Sequence, residues 1–248
     1  MPDRRASDAG PILWLRSLAF WIAFPLSIVI YSVLLLFTFP FPLSTRWQLV
    51  QTWVRFTLWW LKVTCRLTHE IIGTENIPAG AAIVFAKHQS TWETIALQQI
   101  FPMQVWVAKR ELMWIPFFGW GLALMKCIAI RRGSGRAAIR QLTSEGKARL
   151  DEGIWIVIFP EGTRIPPGRK GQYRIGGAIL AEQSGYPIVP VAHNAGEFWP
   201  RRSFIKHPGV IQVRIGKPIE SAGKTAQQLL DETATWIEDR MTEITTLK

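Results

Sequence analysis

Apolar and polar positions divide the chain into two unlike parts. Between residues 17 and 45 there is no charge, and the centre of that stretch, from Ile28 to Phe37, is almost wholly apolar. About twenty apolar residues suffice to cross a bilayer as a helix, so the segment predicts a membrane-inserted helix rather than a buried hairpin of a globular core. Pro25 is expected to kink it, and Pro40 and Pro42 to end it. Arg4, Arg5 and Arg16 on one side are balanced by Arg46 and Arg55 on the other, so flanking charge leaves a full span and a fold back within one leaflet both open. A second helix is predicted over residues 46–67. Its apolar side carries Trp47, Val50, Trp53, Val54, Trp59, Trp60 and Leu61, and its charges are all basic. Such a helix suits an anionic lipid surface, a place on the core, or both at once.

From Glu70 onward the period changes to short apolar runs alternating with longer amphipathic ones, the pattern of an α/β domain. Strands are expected at 70–72, 81–86, 104–108, 128–130, 154–159, 188–192 and 210–215. Helices are expected at 91–100, 136–152, 175–184 and 225–245. Gly185 followed by Tyr186-Pro187 gives a helix stop and a turn into the next strand. The predicted architecture is α/β, a mixed central sheet flanked by helices. Residues 1–67 would form an N-terminal membrane-associated helical segment and 68–248 the catalytic domain.

Charge narrows the partners. With 29 basic and 18 acidic residues the net charge is +11, which implies an anionic partner. No acidic residue falls between Asp8 and Glu70, where the apolar run lies and where Arg16, Arg46, Arg55, Lys62 and Arg66 occur. Basic charge interleaved with greasy surface favours a membrane over a nucleic acid, and no helix-turn-helix, zinc-finger or RNA-binding signature is present. Thirteen tryptophans, among 248 residues of mean hydropathy +0.13, point the same way, because indole favours membrane interfaces. Cys65 and Cys127 lack metal or redox spacing and read as reduced residues of a cytosol-facing domain. The basic runs at 170–174 and 201–207 would meet phosphates or lipid headgroups, or be plain solvated faces.

Candidate chemistry begins at His88, placed where the apolar run 81–86 ends and the helix 91–100 begins. Glu93 follows five residues on. Residues five apart in a regular helix do not share a face, so the two meet only if His88 precedes the helix and Glu93 sits in its first turn. A carboxylate there would fix the imidazole tautomer and stabilise its protonated form, leaving the ring to act as a base. Ser90-Thr91-Trp92-Glu93 equally fits a capping box, in which Glu93 reaches back to the Ser90 N–H. The run 154–159 then delivers Phe159-Pro160-Glu161-Gly162-Thr163-Arg164 into a loop: a carboxylate, a flexible glycine, a hydroxyl and a guanidinium suited to phosphate.

Together and in this order the two motifs resemble the glycerophospholipid acyltransferase family, of which 1-acyl-glycerol-3-phosphate acyltransferases are members. His88 and Glu93 match its H-x4-D box, and residues 159–164 match its FPEGTR box residue for residue. Lys109 within Val107–Leu112, Arg132 after Ile130, and the stretch 186–191 resemble weaker family blocks. The likeness covers residues 71–219. It implies that His88 takes the proton of a glycerol hydroxyl while Glu93 orients His88. That oxygen would then attack the thioester of acyl-CoA or acyl carrier protein. Arg164, with Lys109 and Arg132, would bind the substrate phosphate. Glu161 would position the loop, and Gly162 and Thr163 would lend further substrate contacts. No metal or cofactor is implied. The acceptor implied is 1-acyl-glycerol-3-phosphate and the product phosphatidic acid, on the cytoplasmic face of an inner membrane. Glu93 departs from the usual aspartate by one methylene, and Lys87 stands where asparagine is common.

Overall fold

The computed structural model describes residues 10–131, 133 and 135–247. Two helices come first, α1 (Pro11–Phe37) and α2 (Leu43–Cys65). The α/β part follows as β1 (Leu67–Ile72), β2 (Ile83–Ala86), α3 (Trp92–Ile100), β3 (Gln104–Lys109), α4 (Phe118–Leu124), β4 (Ile128–Ile130), α5 (Arg136–Asp151), β5 (Trp155–Ile158), α6 (Gly176–Ser184), β6 (Ile188–His193), α7 (Ala195–Phe198), β7 (Gly209–Ile215) and α8 (Ala226–Ile244). All seven expected strands and all four expected helices of this part form. The sheet order is β1-β7-β6-β2-β5-β3-β4. Every neighbouring pair is parallel except β6 and β7, so the sheet is mixed as expected.

The central strands are buried on both faces, which is why β2 and β5 read as unbroken apolar runs rather than alternating ones. One face packs against α5, α6 and α8, the other against α1, α2 and α3. On the second face a single apolar cluster runs from Phe20, Phe24, Val54 and Leu61 of the two N-terminal helices to Val84, Val157 and Val213 of the sheet.

α1 is long and apolar enough to cross a membrane, with a mean hydropathy of 2.3 in its most apolar window, of which 28% is buried within the protein. It continues through Pro25 and ends before Pro40 and Pro42. α2 stops at Cys65, short of the expected Leu67, because Arg66 takes a left-handed backbone (φ 53°) and Leu67 is drawn into β1 beside β7. Arg46 is more than a flanking charge. Its guanidinium donates to the carbonyls of Phe39 (2.8 Å), Phe41 (3.0 Å) and, in α4, Leu124 (2.9 Å), satisfying the turn between α1 and α2 where no helix partner exists.

Lys206 departs from the expectation for the 201–207 run. It is fully buried, its Nζ 3.9 Å from the Trp21 ring centre and 4.9 Å from that of Trp199, and it donates to the Phe204 carbonyl at 2.8 Å. Trp21 Nε1 donates to the same carbonyl at 2.9 Å, so an aromatic cage fastens α1 to the segment after α7.

Candidate active site

β2, β5 and β3 are adjacent and parallel, so the residues following them collect at one edge of the sheet, where α/β proteins place their ligands. His88 follows β2, residues 159–164 follow β5, and Lys109 ends β3.

The His88 segment is held from every side. Lys87 N–H donates to the Val191 carbonyl (3.0 Å) and Ile165 N–H to the His88 carbonyl (2.8 Å). His88 N–H donates to Glu161 Oε2 at 2.8 Å, and His193 Nε2 meets the Lys87 carbonyl at 2.7 Å. Phe159 stacks on the His88 ring with centres 4.0 Å apart and planes 11° from parallel. The two motifs are thus one unit. The second fixes both the backbone and the ring plane of the first.

Glu93 makes both contacts that its position suggested. One oxygen, Oε1, meets His88 Nδ1 at 2.9 Å and accepts the N–H groups of Gln89 (2.8 Å) and Ser90 (2.7 Å). The side chain is fully buried. Burial opposes its charge, but the His193 and His88 rings and the Ser90 N–H outweigh it and hold the carboxyl below its ordinary range. Burial also keeps His193 below the ordinary histidine range and therefore neutral, so the lasting support comes from His88 and the backbone. An ionised carboxylate only accepts, hence His88 carries its proton on Nδ1 and turns a basic Nε2 away from Glu93.

His88 borders a cavity of about 380 Å³ between the α1–α2 hairpin, α3, α4 and β3. Its walls include Phe24, Ile28 and Leu35 of α1, Trp47, Val50 and Trp53 of α2, and Trp106 of β3. Lys109 and Arg164 also line it. Burial presses the Arg164 guanidinium below its ordinary range, with Glu93 opposing and Arg201 reinforcing the shift. An arginine so placed remains charged. A hydrocarbon-lined space with a basic nitrogen and two cations at one end suits an amphiphile with an anionic head.

The remaining expected contacts lie elsewhere. Glu161 is behind the cavity wall, 2.7 Å from Lys87 Nζ, and burial pushes its carboxyl above the ordinary range against that ammonium. It accepts the His88 N–H and does not border the cavity. Gly162 takes φ 66° at the turn closed by its N–H to the Phe159 carbonyl (2.9 Å). A Cβ there would also stand 3.0 Å from Arg174 Nε, so the glycine serves the turn. Thr163 is exposed and does not border the cavity. Arg132 lies outside the described residues.

Sequence reasoning missed Glu238 of α8, which sits 2.7 Å from Lys87 Nζ and accepts the Tyr173 hydroxyl at 2.8 Å. It also missed His193, which ends the buried strand β6 next to the strand that leads into His88, and the cavity walls supplied by α1 and α2.

A family model described as Acyltransferase matches residues 68–194. A 1-acyl-sn-glycerol-3-phosphate acyltransferase of Pseudomonas aeruginosa is 40% identical over 94% of this chain and 93% of its own length. The chain belongs to the acyltransferase family. An enzyme of the same name from Saccharomyces cerevisiae is 32% identical over 74% of this chain and 61% of its own. The crystal structure of the 1-acyl-sn-glycerophosphate acyltransferase PlsC from Thermotoga maritima superposes with a TM-score of 0.78 over 94% of this chain and 96% of that one. At 22% identity, that likeness speaks for the fold.

Within this acyltransferase, replacing Glu93 separates its two roles. Glu93→Gln keeps an acceptor for the Gln89 and Ser90 N–H groups and removes the charge behind His88. We expect kcat to fall on the order of 10²-fold or more with little loss of stability. Glu93→Ala should lose both, because it strands two buried N–H groups, at about 1–3 kcal/mol each. Glu93→Asp should retain much of the activity. Melting curves beside turnover numbers for the three variants check this, and equal turnover in all would leave only the capping role.

Proposed function

We propose that the protein is a 1-acyl-glycerol-3-phosphate acyltransferase, moving an acyl group from acyl-CoA or acyl carrier protein to the free sn-2 hydroxyl and forming phosphatidic acid. The observation that carries this reading is the His88–Glu93 pair at the end of an apolar cavity that also holds Arg164 and Lys109. His88 Nε2 takes the hydroxyl proton as the oxygen attacks the thioester carbon. The tetrahedral adduct then expels the thiolate, which recovers the proton from the imidazolium. Glu93 holds the ring and balances its charge in between. Arg164 and Lys109 bind the phosphate, and the cavity takes a hydrocarbon chain. The enzyme works at a membrane, with the exposed side of α1 against lipid and the catalytic domain on the cytosolic side, where acyl thioesters are found. Support comes from the composition of α1 and from the names of the Pseudomonas and yeast relatives.

The test is thiol release from acyl-CoA by membranes carrying wild-type or His88→Ala protein, with and without 1-acyl-glycerol-3-phosphate. Release that needs both the lyso-lipid and His88 supports the assignment. Release only with glycerol-3-phosphate or another lyso-lipid would move the acceptor. None with any acceptor, from CoA or carrier protein, would leave a lipid-binding protein. Arg164→Ala should raise the KM for the phosphorylated acceptor by the equivalent of about 1.5–3 kcal/mol, the value of a hydrogen bond to a charged group. Acyl-thioester KM should change far less.

A further inference from the structure

The cavity has one feature that an acyl-transfer site does not need. Gln104 opens β3, and with Trp106 and Ala108 it points to the cavity side of the sheet. It is 1% exposed, and neither Nε2 nor Oε1 has a hydrogen-bond partner among the described residues. A buried amide is ordinarily paired, and an orphan in an apolar wall calls for a specific reason. The nearby Gln98 differs, since its Nε2 donates to the Thr94 carbonyl at 2.8 Å.

The sheet register sets the depth. Gln104 pairs with Trp155, whose successor Ile156 pairs with Ile83. Gln104 is therefore level with residue 82, four positions before the end of β2 at Ala86, or roughly 13 Å down the strand direction from the strand end that leads into His88. Lys109 ends β3 on the side where His88 and Arg164 collect, and Gln104 lies at the opposite end of the same strand.

We propose that Gln104 is a specificity-determining residue, a polar floor that limits how far a plain hydrocarbon chain enters and accepts a chain bearing an oxygen at that depth. This rests on the cavity's taking an acyl chain, as proposed above. A methyl end pressed against the amide satisfies neither its donor nor its acceptor, whereas a hydroxyl can donate to Oε1 or accept from Nε2. A site built to hydrogen-bond a group discriminates against the analogue that lacks it.

The experiment measures equilibrium binding of saturated fatty acids of increasing length, and of their ω-hydroxy counterparts, to the detergent-solubilised full chain. Transfer of the same acyl groups from CoA to 1-acyl-glycerol-3-phosphate is followed alongside. For wild type, binding should tighten with length to a limit and then weaken, and at the limit the ω-hydroxy acid should bind about ten-fold tighter than the plain one. Gln104→Leu should admit longer plain chains and abolish the hydroxyl preference. Gln104→Asn, which withdraws the amide by one methylene, should lengthen the limit yet keep the preference, a pattern that loss of folding cannot mimic. Identical length profiles in all three folded proteins, with no preference for the hydroxyl, would overturn the proposal. If the binding pattern holds while wild type transfers nothing to the lyso-lipid, the acceptor assignment fails and the role of Gln104 stands. Transfer without the pattern means the reverse.

Discussion

His88→Ala should lower kcat by roughly 10³-fold or more, near the upper range for a positioned general base. Among the described residues nothing else lining the cavity can replace the ring. They place no carboxylate and no second imidazole in the wall, and its other ionisable groups are Lys109, Arg164, Tyr31 and Cys127. Arg164 is a cation under all working conditions, and burial pushes the Cys127 thiol up to about 11. The fold should survive. Glu93 keeps two backbone N–H partners when the imidazole is removed, and the Phe159 ring remains packed against Trp106 with centres 5.5 Å apart. Rapid quench with radiolabelled acyl-CoA measures the loss, and a melting curve with binding to liposomes shows that the protein is otherwise intact. A decline in kcat of only a few-fold would mean that another group takes the proton.

Lys87→Met should be the most destabilising single change near the site. Lys87 is 1% exposed and stands 2.7 Å from both Glu161 and Glu238. Removing one member of a buried ion cluster leaves uncompensated charge, at about 3–5 kcal/mol. In a chain of this size that is a drop in Tm of roughly 6–20 °C. Activity should fall as well, since Glu161 holds the His88 N–H. Pairing Lys87→Met with Glu238→Gln should recover part of the stability but less of the activity, because Glu161 remains without its cation. Tm and kcat for the single and double variants decide this. An unchanged Tm in Lys87→Met would mean that the two carboxyls need no cation. Gly171 closes the cluster on another side, where a Cβ would lie 2.7 Å from Glu161 Oε1. Gly171→Ala should therefore disturb the same contact.

Much of the site was legible because its parts are local. A strand buried on both faces must be an unbroken apolar run, so the ends of β2 and β5 could be placed from sequence, and with them His88 and residues 159–164. The five-residue spacing of His88 and Glu93 makes sense only across a strand-to-helix junction, and the structure has that junction. α4 was missed because Gly119 and Gly121 occur within seven residues, a composition poor for helix. It forms because tertiary contacts hold it, Arg46 meeting its Leu124 carbonyl and its residues closing one wall of the cavity.

The sequence by itself determined the α/β class, the apolar N-terminal helix, the histidine with its carboxylate, and the arginine loop. All of these are written in neighbouring residues, whose spacing fixes which side chains can meet. Tertiary structure alone decided what lies far apart in the chain. Lys87 finds Glu238 across 151 positions, and α1 and α2 supply the cavity that β3 and α3 only half enclose. Lys206 turns out to be caged by rings instead of facing lipid. Gln104 becomes an amide in an apolar wall only after the hairpin folds over it. Local pattern reports whether a residue can be buried. Against what it is buried depends on the docking of distant elements, and at this site that docking encloses a histidine and two cations in an apolar cavity.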